Sequence, residues 1–284
     1  MQLPVTQARR QPERTVGTRG EARGAGGARI YWERSGRADG PPLLLIRGLG
    51  RSSSYWLEFR SILERERSVL VLDNRGVGRS ESPLTGWTTA TMADDVAAVL
   101  DASGTARLDV FGISLGGMIA QELALRHPDR VNRLVLACTT PGGRKAQKIR
   151  PAAAAALARS LTMRFDEAIR YTAPYVIGEA IAASRPEIVE TWIHIAASEP
   201  RSRRGIAGQL AAGARHSAWN RLRRLELPTL VITGDDDRLM PHSNSQMLAR
   251  LIAGARLKEL RGAPHDFPTE RPVETAEAVL DFLG

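Results

Sequence analysis

The sequence predicts an α/β protein: a mostly parallel central sheet flanked by helices, with a helical insert near the middle. Three observations carry this. Short, continuously apolar runs recur, among them LLLI (43–46), SVLVLD (68–73), LDVFGI (108–113), RLVLAC (133–138) and TLVIT (229–233). Helical spacing fills the gaps between them, and unbroken apolar strands alternating with helices mark a parallel sheet covered on both faces. The rhythm then stops at Pro141 and resumes only after Ser217.

Taken in order, residues 1–26 are polar, rich in Arg and Gly and aperiodic, which predicts a flexible basic tail. Order is expected from ARIYWER (28–34), a short strand pattern, followed by the turn GRADGPP and the strand LLLI. SVLVLD runs into the turn-rich NRGVGRSESP. Thr91 with Asp94 three residues on reads as a capping box, and Met92, Val96, Val99 and Leu100 keep helical spacing until Gly104. LDVFGI is the next strand, GGMIAQELALRH the next helix and RLVLACT the strand after it. The stretch 141–217 is helix-like and Ala- and Arg-rich. After TLVITGDDD come a helix around Ser245–Leu251, the strand RLKEL, and a last helix opened by Pro272. In that last helix Val273, Ala276, Leu280 and Leu283 are expected to share a face. The implied division is a core of 27–140 and 218–284 carrying a cap of 141–217.

Composition narrows the function classes. A net charge of +9 invites a nucleic-acid partner, yet only Lys145, Lys148 and Lys258 are lysines and the arginines are scattered rather than clustered on one element. No nucleic-acid role is expected. The single cysteine, Cys138, excludes an internal disulfide and reads as a small buried hydrophobe. Without an 18-residue apolar stretch or a signal-like apolar segment, the expectation is a cytoplasmic protein with no membrane partner. The sequence assigns no oligomeric state.

The chemistry concentrates at Gly112-Ile113-Ser114-Leu115-Gly116, a G-x-S-x-G between a strand and a helix. Such a turn strains the serine and crowds the positions two residues either side, where glycine relieves the clash. It also puts the hydroxyl beside unpaired N–H groups of a helix N-terminus. A serine hydroxyl needs a base, and the base needs an orienting acid. GDDDRLMP offers Asp235, Asp236 and Asp237, and RGAPHDF offers His265, each after a predicted strand. His127, His194, His216 and His242 are placed as surface, capping or insert residues.

These motifs together make the chain resemble the α/β-hydrolase superfamily, over about residues 28–284. DNRGVGRS and GISLGGMIAQELALRHPDRV look most like 3-oxoadipate enol-lactonase and related small esterases and methylesterases. The resemblance implies an α/β-hydrolase fold and selects Asp237 as the acid, three residues after Gly234 and four before Pro241. It also implies backbone oxyanion donors at Leu49 and Leu115. The Asp73–Arg75 segment is structural in the family. Where relatives have His-Gly, this chain has Arg47-Gly48. Arg47 either replaces a structural histidine or faces the site to pair with a substrate carboxylate. Pro264 stands before His265 where relatives carry a small residue, which stiffens the loop.

The implied function is a serine hydrolase of a small-molecule ester or lactone, acting through an acyl-enzyme with Ser114, His265 and Asp237, without metal or organic cofactor. Arg47 and Trp192 are the candidate substrate-binding residues. Phe165, Tyr171, Tyr175 and Trp192 either line a pocket or pack the cap. Competing readings are a cofactor-free haloperoxidase or perhydrolase, a C–C bond hydrolase, and a non-catalytic ligand-binding relative.

Overall fold

The computed structural model describes residues 16–284. Its strands are β1 (Val16–Arg23), β2 (Arg29–Gly36), β3 (Pro42–Ile46), β4 (Ser68–Leu72), β5 (Leu108–Ile113), β6 (Val131–Ala137), β7 (Thr229–Gly234) and β8 (Arg256–Leu260). They form an eight-stranded sheet in the order β1-β2-β4-β3-β5-β6-β7-β8. β1 and β2 pair antiparallel, as do β2 and β4, and the pairs from β4 onward are parallel. The helices are α1 (Leu57–Leu63), α2 (Thr89–Ala102), α3 (Leu115–Arg126), α4 (Pro151–Ser160), α5 (Phe165–Val176), α6 (Glu179–Ser184), α7 (Pro186–Ser198), α8 (Arg203–Arg215), α9 (Trp219–Leu222), α10 (Ser243–Leu251), α11 (Phe267–Glu270) and α12 (Pro272–Leu283).

Successive strand residues alternate between two cores, which is why the strands read as unbroken apolar runs. Leu44, Ile46, Leu70, Val110 and Leu136 point to the face packed by α2, α3 and α10. Leu43, Leu45, Val71, Phe111 and Val135 point to the face packed by α1 and α12. Helices α4–α8 lie between β6 and β7 in the chain, and a third cluster of Tyr55, Ala173, Ile177, Ile188, Val189, Trp192 and Ile195 joins them to the loop after β3.

Three local expectations change. Residues 16–26, expected in the flexible tail, include β1, which pairs with β2 over Val16–Arg23. The sheet edge supplies its backbone bonds, and only Ala22 of residues 17–23 is buried, so no hydrophobic period announces it. The remainder of the expected tail, residues 1–15, lies outside the described residues. α2 starts earlier than the Thr91–Asp94 pair suggests: Thr88 is the N-cap, its hydroxyl accepting from the Thr91 N–H at 3.0 Å. In α12 the buried face is Thr275, Ala276, Val279 and Leu283, while Val273 is 52% exposed.

Candidate active site

Ser114 stands between the end of β5 and the first residue of α3. Its backbone has φ 56° and ψ −120°, a strained conformation for a non-glycine residue, costing on the order of 1–3 kcal/mol. The surroundings hold it there. Its N–H donates to Ala137 O at 2.8 Å, and its carbonyl accepts from the Thr139 hydroxyl at 2.7 Å. The flanking glycines are required by close approach. A Cβ on Gly116 would lie 2.0 Å from Ile46 O, and one on Gly112 would lie 2.4 Å from Gly116 O.

The two partner residues arrive from the ends of β7 and β8. Asp237 is fully buried, its Oδ1 accepting from the N–H groups of Leu239 and Met240 at 2.8 Å each. Its Oδ2 faces His265 Nδ1 at 2.7 Å. Asp235 accepts from the Gly262 N–H and Asp236 sits beside Arg238 at the surface, so neither reaches the imidazole. The two loops pack against each other at Gly234, where a Cβ would meet Ala263 O at 2.0 Å. Burial opposes a charged His265, but the Asp237 carboxylate, by charge and hydrogen bond, outweighs it and raises the imidazole above its ordinary value. Ser114 and His265 line one cavity of about 180 Å³. Ser114 also lines a second, more apolar cavity of about 440 Å³, walled by Leu115, Met118 and Leu210.

The N–H groups of Leu49 and Leu115 have no backbone acceptor among the described residues. Leu115 opens α3, where the helix dipole favours negative charge. The Leu49 loop is pinned on both sides: Asn74 Nδ2 donates to Arg47 O at 3.0 Å, and Gly50 N–H donates to Gln209 Oε1 at 2.8 Å.

A family model described as the alpha/beta hydrolase fold matches residues 41–272. The chain belongs to the alpha/beta hydrolase fold family. Among curated proteins it is 31% identical to the RutD protein of Azorhizobium caulinodans, named for carbamate hydrolysis, over 91% of this chain and 96% of that one. Among solved structures it resembles a hydrolase from Pseudomonas aeruginosa, with a TM-score of 0.83, 33% identity and coverage of 94% and 99%. It also resembles the enol-lactonase of Burkholderia xenovorans, with a TM-score of 0.82, 25% identity and coverage of 93% and 99%. Family and relatives support a hydrolytic enzyme.

Of the two candidate substrate-binding residues, Arg47 is paired within the protein, in line with the structural one of its two alternatives, and Trp192 lies away from both cavities. Arg47 is 2% exposed, and its guanidinium grips Asp266 through two bonds of 2.8 and 2.9 Å. It also donates to Tyr55 O at 2.8 Å and lies over the Trp56 ring. Nη1 and Nη2 are therefore bonded to the protein, which gives Arg47 a structural role, while its buried Nε has no partner among the described residues and the residue also lines the cavity with Ser114. Trp192 is fully buried in the cap cluster and does not line either cavity, because α7 turns it toward Tyr55 and Ile188. Of the four cap aromatics, Phe165 lines the cavity with Ser114. Asp73 and Arg75 are buried supports: Asp73 accepts from Ser53 N–H and Arg79, and Arg75 pairs with Asp95.

Cys138 Sγ, an Asp237 oxygen and a His265 nitrogen lie within 4.8 Å of one another. They make a poor metal site, since burial pushes the thiol up and the other two groups are bonded to each other. His216, buried between Thr89 and Gln121, is pushed by burial to about 4 and is neutral at ordinary pH. Arg51, Asp266 and Gln209 were not singled out by the sequence. The contacts of Arg51 with Trp192, Asp266 with Arg47, and Gln209 with Gly50 and Arg75 join distant parts of the chain, and no local motif marks them.

Proposed function

We propose that the protein is a serine hydrolase of carboxylic esters or lactones, with Ser114 as nucleophile, His265 as general base and acid, and Asp237 as its orienting acid. The observation that carries the reading is a strained Ser114 opening onto the same cavity as a His265 held by Asp237 at 2.7 Å. Neutral His265 takes the Ser114 proton as the oxygen attacks the acyl carbon. The tetrahedral oxyanion is met by the Leu49 and Leu115 N–H groups, each such donor contributing about 3–4 kcal/mol to the barrier reduction. His265 then gives its proton to the leaving alkoxide, and the acyl-Ser114 ester is cleaved by water that His265 activates. Asp237 stays ionised throughout, supporting the imidazolium. The likeness to an enol-lactonase supports ester and lactone carbonyls as the substrate class.

Exposure to a fluorophosphonate followed by intact-mass measurement tests this, on wild type and Ser114→Ala, alongside turnover of p-nitrophenyl butyrate. One adduct that vanishes in Ser114→Ala, with ester turnover, is the expected result. A folded wild type that neither labels nor turns over ester refutes it. Adding a p-nitrophenyl carbamate to the panel separates ester from carbamate preference, the latter being the chemistry for which the RutD relative is named.

A further inference from the structure

Four of the most deeply buried arginines each face a carboxylate: Arg47 faces Asp266, Arg60 faces Glu33 and Glu64, Arg67 faces Asp109, and Arg75 faces Asp95. Arg51 does not. It lines the cavity that holds Ser114 and His265, and its Nη1 is shut off from solvent without a hydrogen-bond partner. Among the described residues no carboxylate lies within ion-pair distance of its guanidinium. Its charge stacks 3.6 Å from the Trp192 ring centroid and 4.7 Å from that of Tyr55. These rings fix the guanidinium plane and soften its desolvation, but they supply no counter-charge.

Burial brings Arg51 down to about 10, so it remains protonated at neutral pH. The other charged side chains of the cavity wall do not neutralise it. Arg47 and Asp266 cancel each other, Glu199 accepts from the Ser54 hydroxyl at 2.6 Å, and Arg201 stacks on Phe165. Three guanidinium groups thus face two carboxylates around one small cavity. A desolvated guanidinium that lines the cavity, held in orientation by two rings and making no side-chain hydrogen bond to the described residues, matches a planar oxyanion that accepts two bonds. The unmet charge is single, which matches a carboxylate better than a dianion set near Glu199.

We propose that Arg51 is the binding site for a free carboxylate on the substrate, so that this enzyme selects anionic esters or lactones over neutral ones. The inference deepens the ester-hydrolase reading and rests on it for the word substrate, but not for the anion site itself. Arg51 is a binding and specificity residue, and it takes no part in the proton transfers.

The test compares kcat/KM within matched pairs: p-nitrophenyl hemiglutarate against p-nitrophenyl butyrate, and 4-acetoxybenzoate against its methyl ester. The first pair carries the charge on the acyl side and the second on the alcohol side. Wild type is expected to prefer the anionic member of at least one pair by about ten- to a hundredfold, the range of a charge-assisted bond. Arg51→Gln is expected to bring that ratio close to one, and Arg51→Lys to recover part of it. Should the Gln variant not fold, a severalfold fall in the ratio for Arg51→Lys carries the same meaning. Calorimetric titration with glutarate reads the site without turnover. Glutarate binding lost in Arg51→Gln, in a protein that cleaves no ester, would retain the anion site and overturn the hydrolase reading. Neutral-ester turnover with no anionic preference and no Arg51-dependent glutarate binding would overturn the anion site and retain the hydrolase.

Discussion

Removing one side of the Arg47–Asp266 pair tests whether Arg47 serves the fold or the substrate. The pair is buried, with side-chain exposures of 2% and 5% and two parallel bonds of 2.8 and 2.9 Å. Breaking such a pair leaves an uncompensated buried charge, a loss of about 3–5 kcal/mol. Asp266→Asn keeps one acceptor and should fall near the lower end, about 3 kcal/mol, whereas Arg47→Met strands the carboxylate and should fall near the upper end. For a chain of this size that is a drop in Tm of about 6–15 °C. The double variant Arg47→Met/Asp266→Leu removes both charges, and its loss should fall well below the sum of the single losses. The sign with pH follows from the same pair: Arg47 overcomes the burial penalty and holds the Asp266 carboxyl below its ordinary value. Its stabilisation is therefore full above the unfolded carboxyl range near ~4 and is lost as pH falls through the lower folded value. Asp266→Asn should flatten that acid limb. Urea unfolding of the four proteins at pH 7 and at about pH 2–3, below the ordinary carboxyl value, provides the measurement. If both single variants lose less than about 1 kcal/mol while KM for an anionic ester rises, Arg47 is a substrate ligand and the structural assignment is refuted.

Four further expectations follow from the site. Because Asp237 raises His265, the acidic limb of the kcat/KM profile should lie above about 6.5, the ordinary imidazole value. Asp237→Asn leaves the opposing burial in charge, so the limb should move to lower pH while kcat falls about 10³–10⁴-fold; an unmoved limb would separate Asp237 from the titration. The same pair stabilises the fold most below the unfolded imidazole value and less as pH rises through His265's raised one, which pH-dependent melting would read. Gly116→Ala forces a methyl to within 2.0 Å of Ile46 O, so a loss of about 1–3 kcal/mol or failure to fold is expected, and an unchanged Tm would contradict the elbow packing. Gln209→Ala leaves Gly50 N–H and Arg75 O without their buried partner. A loss of about 1–3 kcal/mol is expected, with slower fluorophosphonate labelling as the Leu49 loop loosens, whereas labelling at the wild-type rate would show that the cap does not brace it.

Ser114, His265 and the acid loop were legible in one sequence because each signal is local, and the family resemblance singled out Asp237 from Asp235 and Asp236. A strained strand-to-helix turn needs its glycines within two residues, and a carboxylate aimed by the next backbone N–H groups needs only the loop GDDDRLMP. The parallel strands were legible for a similar reason, since burial on both faces writes itself as a continuous apolar run. β1 was not, because an edge strand held by backbone bonds, with Ala22 its only residue buried among 17–23, leaves no periodic trace. The roles of the arginines were not legible either. Arg47 and Arg51 stand four residues apart in one loop and look alike in sequence. Asp266, more than two hundred residues away, neutralises the first, and among the described residues no carboxylate meets the second. Charge compensation inside a protein depends on which groups the fold brings within a few ångströms, where the low dielectric makes each pairing strong. The sequence by itself therefore determined the α/β architecture and the three residues proposed for the chemistry. Only the tertiary structure decided that Trp192 packs rather than lines the cavity, that Arg47 pairs with Asp266, and that Arg51 lines the cavity of Ser114 and His265 with no carboxylate paired to it among the described residues.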